Sequence, residues 1–83
     1  MTGYVHTINR RRGLVAVATD GNDFTILELV GTDPISLGDQ LEWPDDTALG
    51  RAVFRNITKG AAANVKVLAH GVPPSQVRQS LRL

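Results

Sequence analysis

Apolar and polar residues alternate with a period of two along most of this chain, in short runs separated by turn-forming residues. Residues 4–8 are aromatic or β-branched apart from His6, which predicts a first strand. Asn9, Arg10, Arg11, Arg12 and Gly13 then make a polar turn before a second strand over 14–19. Asp20, Gly21 and Asn22 tolerate the positive φ that tight hairpins need, so residues 24–30 are expected to pair back on the second strand. Gly31, Asp33 and Pro34 close this meander, because proline lacks a ladder donor and fixes φ.

A fourth strand is expected over 39–43, where Leu41 and Trp43 alternate with Gln40 and Glu42, and Pro44, Asp45 and Asp46 end it. Residues 51–57 form another strand, and 64–70 the last, with Val65, Val67 and Ala69 on one face and Lys66, Leu68 and His70 on the other. Residues 58–63 between them are open to a loop or a short helical turn, since alanine favours helix and Gly60 opposes it. Pro73 and Pro74 break the β pattern, leaving Ser75 as the expected N-cap of a short helix over 76–83. Val77 and Leu81 share one side of that helix and Arg78 and Arg82 the next. So short a helix is marginal alone, which predicts that it docks on the strands or on a partner. The sum is an all-β chain: a small OB-fold-like antiparallel barrel of five or six strands over 1–72, with a C-terminal helical tail over 73–83. Val5, Val17, Leu41, Trp43, Val65 and Val67 are its expected core.

Length and composition narrow the picture. Eighty-three residues make one domain, and 42% hydrophobic with 20% charged residues lies in the ordinary globular range. The absence of cysteine rules out a disulfide framework or a thiolate metal site and favours a reducing, cytoplasmic setting. The apolar runs are too short to span a bilayer or serve as a signal segment, so no membrane partner is expected.

Charge changes the picture most. Residues 1–12 carry Arg10, Arg11 and Arg12 and no acid; 13–50 carry all eight acids and no Lys or Arg; 51–83 carry Arg51, Arg55, Lys59, Lys66, Arg78 and Arg82 and no acid. The segments hold charges of +3, −8 and +6, so a net charge of +1 hides two basic segments around an acidic one. Folding that joins the basic segments would make a face suited to a polyanion, whereas folding that scatters them would leave an ordinary solvated surface.

No catalytic constellation stands out. His6 and His70 lie in separate strands without a third ligand type, Asp45 and Asp46 are adjacent and point apart in an extended chain, and Ser36, Ser75 and Ser80 have no base or nucleophile elbow beside them. The GTDP segment at 31–34 lacks the lysine and glycine spacing of a phosphate loop, and Asn56-Ile57-Thr58 matches the glycosylation pattern by chance. A non-enzymatic protein without cofactor or metal is expected.

Three stretches add a resemblance. GYVHTINRRRGLVAV at 3–17, SLGDQLEW at 36–43 and KGAAANVKVL at 59–68 resemble, in the same order, the first hairpin, the opening of the fourth strand and the last strand of the bacterial cold-shock domain. That resemblance implies a five-stranded OB-fold that binds single-stranded RNA or DNA. In the family, bases stack on exposed aromatic residues of the first three strands. The corresponding positions here hold Thr7, Ile8, Leu14, Ala16, Thr25, Leu27 and Glu28, and Phe24 falls where the family has a buried aliphatic. Glu28 would repel phosphate on the implied binding face. Residues 44–58 replace a shorter link and are expected to add a strand or hairpin.

The leading expectation is therefore a single-stranded nucleic-acid binder, RNA ahead of DNA, that acts on backbone phosphate. Asn9, Arg10, Arg11, Arg12, Arg51, Arg55, Lys59 and Lys66 are its candidate phosphate ligands, because guanidinium groups pair bidentately with phosphate, and His6 is its candidate stacking ring. The alternative is a protein-interaction or homodimerisation module that uses Ile8, Leu14, Leu27, Val77 and Leu81 as its contact surface. Exposure of Leu14 and Leu27 would favour the second reading; their burial beside a rim of arginines would favour the first.

Overall fold

The computed structural model describes residues 1–83. Six strands, β1 (Thr2–Asn9), β2 (Leu14–Thr19), β3 (Phe24–Leu29), β4 (Gln40–Glu42), β5 (Gly50–Asn56) and β6 (Ala61–Val72), close into an antiparallel barrel in the order β1-β2-β3-β6-β5-β4. A 3-10 turn (Pro74–Gln76) and a four-residue helix, α1 (Val77–Ser80), follow β6. No helix is long and apolar enough to cross a membrane.

The turns follow from local chemistry. In the first hairpin the Arg12 amide bonds the Asn9 carbonyl at 3.3 Å, and Gly13, at φ 64°, supplies the left-handed residue that returns the chain into β2. The second hairpin places its left-handed residue at Asn22, φ 61°, rather than at Gly21, and closes through the Thr19 amide on the Asp23 carbonyl at 3.0 Å. The Thr19 hydroxyl also bonds the Asp23 carboxylate.

Two elements differ from expectation. Residues 58–63 are neither helix nor one continuous loop: a turn over 57–60 gives way to β6, and Ala61, Ala62 and Ala63 pair with Asn56, Arg55 and Phe54. Ala63 shares the barrel interior with its partner Phe54, whereas Ala62 is exposed. The Ser75 side chain does not cap the tail helix; it lies within the 3-10 turn, and the residue preceding α1 is Gln76. The strand expected within 44–58 is β5.

Inside the barrel, Val5, Val15, Val17, Leu27, Ile35, Leu41, Trp43, Phe54, Ala63, Val65 and Val67 form one buried cluster, which includes all six expected core residues. The Trp43 and Phe54 rings stack at 4.7 Å with 10° between planes. Gly3 is required beside them: a Cβ there would stand 2.6 Å from the Ala18 carbonyl and 2.8 Å from Val17 Cγ1.

A second cluster lies on the outside of the wall. Leu14, Ala16, Phe24 and Ile26 of β2 and β3 point away from the interior and are covered by Val72, Val77 and Leu81. Phe24, expected in the core, is thus buried beneath the tail and not within the barrel. The tail docks because β2 and β3 carry apolar residues on both faces, as their burial patterns show, and a two-faced apolar sheet must be covered twice.

Candidate nucleic-acid interface

The structure sorts the candidate basic residues into three places. Asn9, Arg11 and Arg12 line one solvent-open depression of about 530 Å³ at the end of the first hairpin, together with Arg82 and Leu83 of the tail. A second depression, about 350 Å³, adjoins it through Arg12 and Arg82 and includes Leu14, Glu28 and Leu68. No arginine in the chain pairs with a carboxylate. The first depression therefore gathers three guanidinium groups with no acidic side chain among its walls, an arrangement that attracts phosphate oxygens.

Arg10 sits in the same turn but donates to the Ile35 carbonyl at 3.2 Å, fastening the segment between β3 and β4 to the hairpin. Lys66 and Arg51 lie farther round the wall. Register places Asn9, Leu14, Glu28, Lys66 and Arg51 opposite one another in turn across β1, β2, β3, β6 and β5. Lys66 is three strand steps, roughly 14 Å, from Asn9. The acid on this row, Glu28, stands beside Lys66, and Arg51 on its other side is a like charge.

Arg55 and Lys59 lie outside this group. Arg55 faces Glu42 across the β4–β5 pair. Lys59 is held in an ion pair with the nearly buried Asp39, whose Oδ2 also accepts the Asn56 side-chain amide and the Ser36 backbone amide, each at 2.9 Å. Burial acts to raise the Asp39 pKa, but the hydrogen bonds from Lys59, Asn56 and Ser36 and the Lys59 charge outweigh it and hold the carboxyl below its ordinary value. This cluster ties the 34–39 segment to the 57–60 turn, so Lys59 serves the fold.

The histidines divide likewise. His6 is exposed and meets Phe24 edge to face, ring centres 5.1 Å apart. His70 Nε2 donates to the Thr47 carbonyl at 2.8 Å while Nδ1 lies 3.0 Å from the Thr25 hydroxyl, joining the 44–49 loop to β3 and β6. The aliphatic residues of the protein-contact alternative are consumed within the chain. Leu27 is in the barrel interior, Ile8 packs against that interior, and Leu14, Val77 and Leu81 meet in the outer cluster. They leave no open apolar patch.

Arg82 is the residue that sequence reasoning placed on the tail but not in the site. Its amide bonds the Gln79 carbonyl and the next amide, of Leu83, bonds the Arg78 carbonyl, which is a Schellman ending to α1 with Arg82 at the left-handed position, φ 59°. Glycine is the usual occupant, and a side chain there costs about 1 kcal/mol. Arg82 in that conformation lines the same depression as Arg11 and Arg12. The available signal was the pair Val77 and Leu81, whose docking returns the chain end to the hairpin. The chain matches no protein-family model, no curated protein and no solved structure.

Proposed function

We propose that this protein is a non-enzymatic binder of single-stranded nucleic acid that grips backbone phosphate at the hairpin end of the barrel. The observation that carries this reading is the depression lined by Asn9, Arg11, Arg12 and Arg82, three arginines without a carboxylate partner. Asn9 directs its side-chain amide to the Leu81 carbonyl, so its part is to position the tail. Lys66, with Arg51 beyond it, lies past Glu28 on the same row and offers a second phosphate contact to a strand that passes clear of that carboxylate.

The closed antiparallel barrel and the ordered resemblance to cold-shock domains support the same reading. The covered outer face of β2 and β3 bears on specificity. At two of the positions where bases would stack, Leu14 and Ala16, Val77 and Leu81 already lie against the wall, and a third, Leu27, is in the barrel interior. The strand is therefore held by charge, with weak preference among bases, since phosphate contacts position a strand without reading it. Leu14 and Leu27 are buried, which favours this reading over a protein contact made through them.

A labelled single-stranded oligonucleotide titrated at several salt concentrations tests the proposal. One phosphate in the depression and one at Lys66 give a log-log slope of about −1.4, from roughly −0.7 per phosphate on a single strand. Replacing Arg11 and Arg12 by alanine flattens the slope by about 0.7 and weakens all sequences alike. Absence of binding to any single strand at low salt would remove the reading.

A further inference from the structure

The depression is assembled from two parts of the fold that are held together weakly. Asn9, Arg11 and Arg12 come from the β1–β2 hairpin, whereas Arg82 and Leu83 come from the tail. The tail is joined to the barrel through Pro73 and Pro74 and contains a helix of only four residues, far below the length at which a helix persists alone. Its docking rests on Val77 and Leu81 and on the Asn9 amide, which bonds the Leu81 carbonyl at 2.7 Å. Against these acts the approach of Arg82 to Arg11 and Arg12, three like charges around one depression.

We propose that the tail is a latch closed by the bound anion. A backbone phosphate in the depression bridges Arg82 to Arg11 and Arg12, so occupancy holds the tail over the outer face of β2 and β3, and opening of the tail removes Arg82 and dismantles the site. This rests on the phosphate-binding reading given above. Reciprocity follows from linkage: whatever factor tail closure adds to anion affinity, the anion adds to tail closure. One charge-assisted contact from Arg82 corresponds to a factor of about ten.

Amide hydrogen exchange with and without a uridine hexanucleotide tests the latch, read at Leu81, Arg82 and Leu83, whose amides bond the Val77, Gln79 and Arg78 carbonyls. Saturation with the hexanucleotide is expected to slow these three amides about tenfold and leave the interior amides of β2 unchanged. Arg82→Gly suits the left-handed backbone, so the tail stays docked without ligand, yet binding weakens about tenfold and the ligand-dependent slowing disappears. Leu81→Ala, with Arg82 retained, exchanges faster at the tail and also binds more weakly. A hexanucleotide that binds the unaltered protein without slowing the three amides, or that binds Arg82→Gly as tightly as the parent, overturns the latch and leaves the nucleic-acid reading standing. No binding to the unaltered protein at low salt overturns both.

Discussion

The side-chain amide of Asn9 donates to the backbone carbonyl of Leu81 at 2.7 Å, across 72 positions of sequence. Asn9 is the last residue of β1 and opens the turn that carries Arg10, Arg11 and Arg12, so this bond fixes the end of the tail against the arginine turn. Asn9→Ala removes the donor and leaves a partly buried carbonyl without a partner, at a cost of about 1 kcal/mol to tail docking. The expected result is faster exchange at Leu81, Arg82 and Leu83, by about fivefold, with the β6 amides unchanged. Equal acceleration throughout the barrel would mean that the bond supports the whole fold rather than the tail.

The stacked pair Trp43 and Phe54 makes the barrel interior sensitive at one point. Phe54 is fully buried and lies face to face with the sole tryptophan. Phe54→Ala should cost about 3–5 kcal/mol, the usual range for removing a buried phenylalanine. Urea unfolding followed by Trp43 emission measures the loss, since a buried indole moves into water on unfolding. A loss under 1 kcal/mol would place the stabilising contacts elsewhere.

Acid should act through Asp39. Its folded pKa is lowered, so its contribution to stability is complete above the unfolded value, about 3.9, and is lost as pH falls through the folded value. Lys59→Met removes both the hydrogen bond and the charge that lower this pKa, and burial, which raises it, then meets less opposition. The variant is expected to lose stability mainly above the unfolded pKa and so to show a flatter acid limb, as measured by urea midpoints between pH 2 and 6. An unchanged limb would show that another carboxylate governs acid unfolding.

Much of the barrel is legible in the sequence because alternation with a period of two survives in β5 and β6, where one face meets the interior and the other meets solvent. It is obscured in β2 and β3, whose first four residues are buried on both faces. Leu14 and Leu27 look equivalent along the chain, yet one faces the tail and the other the interior. In β1 the register slips between Val5 and Thr7, so strict alternation misplaces the residues that follow His6. The candidate site was legible in part: the arginine turn follows from sequence, while the diversion of Lys59 to Asp39, of Arg10 to Ile35 and the arrival of Arg82 depend on contacts 20 or more positions apart.

The two-sided burial of β2 and β3 also predicts what the tail conceals. Removing residues 73–83 takes away Val77 and Leu81 and leaves Leu14, Ala16, Phe24 and Ile26 uncovered on one contiguous face, while the interior cluster has no member from the removed segment. The shortened barrel is therefore expected to fold, with near-ultraviolet circular dichroism from Trp43 retained. It should bind a hydrophobic dye and self-associate as its concentration rises, because contiguous apolar patches of this kind seldom stay open to water. Sedimentation velocity at two concentrations, with the full chain alongside, measures this directly. A truncated protein that stays monomeric and takes up no dye would mean that the outer face does not need the tail.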